Sequence, residues 1–122
     1  MARKFGALLK CHRLAGGQTL REFCLEHGFD PGNYSRLERG LFPPPQSREL
    51  LEKYAHALGV KPGTDDWLEL FDTAAVERGQ IPADLMSDAD VVEKLPVLFR
   101  TMRARQLSSD KLDELVDKIR RS

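Results

Sequence analysis

Residues 19–40 read TLREFCLEHGFDPGNYSRLERG, and the fold turns on how this stretch is parsed. Thr19-Leu-Arg-Glu22 carries the pattern of a capping box. In that motif the Thr hydroxyl accepts from the amide three residues on, and the Glu carboxylate reaches back to the Thr amide. The short helix that follows should end at Gly28, which adopts the left-handed conformation that helix C-termini favour. Asp30-Pro31 is a second start signal, because Asp caps well and Pro at the first helical position sacrifices no hydrogen bond. This next helix should run from Pro31 to about Arg39, with Gly40 closing it. Phe23, Cys24, Phe29, Tyr34 and Leu37 are the apolar positions that lock the pair together.

Outward from this stretch, helix signals repeat and strand signals are scarce. Arg3 to Ala15 places Phe5, Leu8, Leu9 and His12 on one face, and Gly16-Gly17 ends that helix. Leu41-Phe-Pro-Pro-Pro45 cannot be helical and should run extended. Ser47 caps a helix with Leu51, Tyr54, Ala55 and Leu58 inward, ended by Gly59. Thr64-Asp-Asp66 caps a fifth, with Trp67, Leu70, Phe71 and Ala74 inward and its acids at the positive end of the helix dipole. After Gly79 the pattern changes. Gln80 to Asp84 reads as a linker or turn, Ser87-Asp-Ala-Asp90 starts another segment, and Pro96 should break or kink it. Ser109 should cap a last amphipathic helix striped by Leu112, Leu115, Val116 and Ile119. The expected class is all-α: five helices over residues 1–78 and a helical extension over 79–122.

The chain has 122 residues and no apolar run near the ~20 needed to span a bilayer. MARKFGALLK lacks the apolar stretch and cleavage site of a secretory signal, so a cytoplasmic location is expected, with Cys11 and Cys24 reduced. The formal net charge is zero, which excludes a strongly basic nucleic-acid binder. Its distribution is uneven. Residues 1–48 carry eight Lys/Arg against four acids, residues 49–98 four against eleven, and residues 99–122 seven against four. A basic first third can face phosphates while the acidic middle faces away.

Two helices joined by a turn like that at Gly28 project the second into the DNA major groove, which admits an α-helix. Thr19 to Cys24, then Gly28 to Gly40 with its Ser35-Arg-Leu-Glu-Arg-Gly40 ending, resembles the Cro/phage-repressor (XRE-type) helix-turn-helix family. Phe5-Gly6 with Arg13, and Ala57-Leu-Gly-Val60, extend the likeness over about residues 3 to 75. The resemblance implies a five-helix repressor-like bundle and base contacts from Pro31, Gly32, Asn33, Ser35 and Arg36. Asn pairs bidentately with adenine and Arg with guanine. It implies a phosphate anchored at Thr19, where free amides and the helix dipole favour an anion. Arg39 and Arg48 become phosphate contacts that position without specifying. Arg13 and Glu38 match a buried ion pair. The chain departs from the family at Leu20, where Gln is frequent, and Gln18 or Arg21 would substitute. It departs again at Leu41, where a basic residue is frequent. Fewer contacts per subunit argue for a dimer on two half-sites.

Other chemistries are weakly signalled. Cys24 with His27, and Cys11-His12, lack zinc-finger spacing, so no metal or other cofactor is expected. No nucleophile–base–orienter set and no phosphate loop after a strand is present, so no enzyme is expected. The C-terminal stripe can pack on the chain's own bundle or on a second subunit, and a homodimer is the preferred reading. The leading expectation is a sequence-specific transcriptional regulator, a homodimeric repressor on double-stranded DNA. The alternative is the antitoxin of a toxin–antitoxin pair, which holds its partner through residues 79–122 and represses its own operon. A third is a bundle of this fold that no longer binds DNA.

Overall fold

Side-chain caps set most of the helix starts. In a computed structural model that describes residues 4–121, the regular structure is entirely helical. The helices are α1 (Lys4–Ala15), α2 (Leu20–His27), α3 (Pro31–Glu38), α4 (Arg48–Ala57), α5 (Asp65–Glu77), α6 (Ala83–Met86), α7 (Ala89–Arg105) and α8 (Ser109–Arg121). Arg3, the expected first residue of α1, lies outside the described residues. Thr19, Asp30, Ser47 and Thr64 each accept from the backbone amide three residues on, as their positions predict. Of the capping box only the Thr19 half forms among the described residues. Gly28 closes α2 in the left-handed region, at φ 72°. The described residues divide into two units, one ending at Pro82 and one starting at Ala83.

The first unit has a single apolar core supplied by α1 to α5. Leu9 and Leu70 are wholly buried, and Phe5, Phe23, Tyr34 and Ala55 are 1% exposed. An aromatic cluster joins α2, α3 and α4. Tyr34 lies 5.1 Å from Phe23, and Phe29 lies 4.9 Å from Tyr54, edge to face. Such ring pairs contribute ~0.5–1.5 kcal/mol beyond their burial. Leu20, the departure from the expected Gln, packs against this core. His12, expected on the buried face of α1, is only half-buried, and Arg13 takes the inward position instead.

Three long-range features fasten α1. At Gly6 an added Cβ would lie 2.2 Å from the Leu37 carbonyl oxygen, so α1 crosses the end of α3 at a distance only glycine permits. About two turns later, Arg13 grips Glu38 through two bonds of 2.8 Å and donates a third to the Gln18 carbonyl at 2.9 Å. Both side chains are nearly enclosed, at 7% and 4% exposure. The α1 amide of Phe5 donates to the Glu77 carboxylate at 3.1 Å, placing a negative charge at the positive end of α1.

The second unit holds α6 to α8, and none of these helices has a buried residue. Three expectations are corrected here. Part of the expected linker, Ala83 onward, forms the one-turn helix α6. Helix α7 runs unbroken through Pro96. Proline removes a single rung of the ladder, and the rungs on either side of a 17-residue helix still form. The cap of α8 is Ser108, whose hydroxyl accepts from the Lys111 amide, with Ser109 as the first helical residue. Two adjacent serines offer the same chemistry, and Ser108 is the one whose hydroxyl takes the amide three residues on.

Candidate nucleic-acid interface

Helix α3 is held on one side and bare on the other. Tyr34 and Leu37 are buried, and Glu38 is tied to Arg13. Pro31, Gly32, Asn33, Arg36 and Arg39 are exposed, and Ser35 is half-buried. Six of the ten residues singled out in the sequence thus lie on one short helix and its C-cap. Its first turn is fixed by Asp30, whose carboxylate takes the Asn33 amide at 2.9 Å, and by the preset backbone of Pro31.

The exposed side chains of α3 are not independent. Asn33 Oδ1 accepts from Arg36 Nη1 at 3.2 Å. The Arg36 guanidinium also sits over the Phe42 ring, 5.6 Å from its centroid. Phe42 was missed in the sequence. The signal was Gly40, which takes φ 74° and lets the Leu41 amide bond back to the Arg36 carbonyl, so the chain returns past Arg36. Arg39 Nε reaches the Ser35 carbonyl at 3.4 Å and remains exposed.

The other four residues differ in how free they are. Thr19 and Arg21 are exposed at the start of α2, and Arg21 has no side-chain partner among the described residues. Gln18 is half-buried and its amide donates to Glu26. Arg48 opens α4, pairs with Glu52 at 3.0 Å and lies over Trp67 and Phe71, which directs its charge toward α5.

Electrostatics reinforce the division between the held and bare sides of the helix pair. Arg13 is raised above its ordinary value, chiefly by its hydrogen bonds to Glu38. Burial pushes the Cys24 thiol up, so it behaves as a small apolar group and not as a thiolate. Burial raises the Tyr34 phenol strongly and the Tyr54 phenol less so. The Tyr34 hydroxyl is enclosed and has no hydrogen-bond partner among the described residues. Among the described residues, no group of three or more His, Cys, Asp and Glu is arranged to hold a metal ion. No helix among them is long and apolar enough to cross a membrane. No protein-family model, no curated protein and no solved structure matches the chain.

Proposed function

We propose that the chain is a sequence-specific DNA-binding regulator, built as a five-helix repressor-like bundle in which α2 and α3 form a helix-turn-helix. One observation carries this reading: the first two turns of α3 expose Asn33 and Arg36 while Tyr34, Leu37 and Glu38 anchor its opposite face. A helix so anchored presents its outward groups at a fixed angle, and the major groove is wide enough to take it. Thr19 and Arg21 at the start of α2, with Arg39 at the end of α3, supply phosphate contacts that position the reading helix. The reading is of a cytoplasmic binding protein and not an enzyme.

The protein acts in this reading as a homodimeric repressor on two half-sites. Support comes from the second unit, where Leu98, Phe99, Leu115, Val116 and Ile119 are all more than a third exposed. Amphipathic helices that fully bury none of their apolar residues call for a partner surface. A partner toxin is the alternative occupant of that surface, and co-purification from the native host distinguishes the two. Selection of bound sequences from a random DNA pool tests the main reading. The expected result is an enriched site with two half-sites about one helical turn apart. Absence of any enriched sequence at low salt overturns it.

A further inference from the structure

The arrangement of Asn33, Arg36, Phe42 and Gly32 constrains which base this interface can read. An Asn side chain recognises adenine by accepting from N6 through Oδ1 while donating to N7 through Nδ2. In this chain Oδ1 already accepts from Arg36 Nη1. An adenine N6–H would have to share that oxygen with a guanidinium, bringing its own partial positive charge against a full one. One lone pair of Oδ1 is left beside the guanidinium, and the groups left wholly unengaged are donors: Asn33 Nδ2 and the remaining N–H groups of Arg36. Guanine shows two acceptors in the major groove, N7 and O6, whereas adenine shows one acceptor and one donor.

One further contact holds Arg36 in place. The Phe42 ring lies beneath the guanidinium. At Gly32 a Cβ would lie 3.5 Å from Arg36 Nη1 and 3.4 Å from Asp30 Oδ2, in ordinary van der Waals contact, so the guanidinium runs close beside the start of α3. An arginine ordered before binding loses less rotamer freedom when it meets its base.

We propose that Asn33 is a positioning residue for Arg36 and not an adenine reader, and that the pair makes the interface select guanine at the base beneath Arg36. This rests on the DNA-binding reading above. The test uses the full chain, the site enriched from the random pool, and duplexes in which the guanine assigned to Arg36 is changed to adenine or to 7-deazaguanine, which lacks N7. Wild type should lose ~5–150-fold in affinity on the change to adenine. Arg36→Ala should lose that preference entirely. Arg36→Lys should lose most of it while keeping the salt dependence, because it keeps the charge and not the fork. Asn33→Ala and Phe42→Leu should bind more weakly yet still prefer guanine, and neither should relax selection at any A·T pair. Circular dichroism on these surface variants checks that they are folded. If Asn33→Ala relaxes an A·T position, or Arg36→Ala leaves every guanine preference intact, this proposal falls and the DNA-binding reading stands. If the full chain enriches no DNA at all, both fall.

Discussion

The residues through Pro82 and those from Ala83 on are both built of capped helices, yet they differ in what those helices bury. In the first unit Leu9 and Leu70 are fully enclosed, and even a charged pair, Arg13–Glu38, is taken inside. In the second unit α7 is a 17-residue helix and α8 a 13-residue one, and neither encloses a single residue. Caps and amphipathic spacing are therefore enough to form a helix but do not determine where its apolar stripe goes. In the first unit the stripe is satisfied within the chain. In the second, Leu112 is half-buried while Leu115, Val116 and Ile119 are exposed.

The largest expected effect comes from the first unit's buried charge. Glu38→Ala leaves Arg13 enclosed with its fork unpaired, which should cost ~3–5 kcal/mol in chemical denaturation. Replacing both partners with apolar residues should cost much less, and equal losses for the single and double variants would break the account of a buried pair. The same chemistry applied to both units comes next. Leu9→Ala should cost ~2–5 kcal/mol, because it opens a cavity in a closed core. Leu115→Ala, at a residue 38% exposed, should cost under ~1 kcal/mol in the monomer. Its cost should grow with protein concentration if α8 pairs with a second copy. Matching losses at low concentration would erase the contrast between the units.

Gly6→Ala should follow, at about 3 kcal/mol, because the new methyl group meets backbone and not a movable side chain. Thermal melts of the two chains side by side would measure it. An unchanged melting temperature would mean that α1 can move off α3 freely, and then the fixed angle of α3 would lose its support.

Most helix ends were legible because their causes are local. Thr19, Asp30, Ser47 and Thr64 each act within three residues, and Gly28 acts on its own backbone. The choice of Ser108 over Ser109 was illegible for the same reason, since both satisfy the local rule. Of the break or kink expected at Pro96, the break does not occur: a proline rule describes the missing bond and not the intact turns around it. The residues of the site were legible one by one. Their pairing was not, because Phe42 reaches Arg36 only after the chain has turned at Gly40, and Asn33 gives up its acceptor to a residue one turn away. Spacing names which side chains share a face; it does not say which of them are already engaged.

The smallest effect probes what the first unit encloses without satisfying. The Tyr34 hydroxyl is buried among rings and has no hydrogen-bond partner among the described residues. An unpaired buried hydroxyl costs ~1–3 kcal/mol, so Tyr34→Phe should leave stability unchanged or raise it by up to ~1 kcal/mol at neutral pH. Its alkaline behaviour is more informative. Burial raises Tyr34 above the ordinary phenol value of 10, with Tyr54 raised from the same value and Cys24 raised from 9. The unfolded chain therefore releases these protons first, while the folded chain keeps them. Stability from these groups is complete below about pH 9 and falls as pH rises past 10 toward the folded values. Each retained proton steepens the fall by ~1.4 kcal/mol per pH unit, so Tyr34→Phe should flatten the decline by about that amount. Urea denaturation at neutral pH and above pH 10 reads both quantities. A loss beyond ~1 kcal/mol at neutral pH would mean that the hydroxyl has a hydrogen-bond partner in solution, and the first unit would then be as well satisfied in its polar groups as it is in its apolar ones.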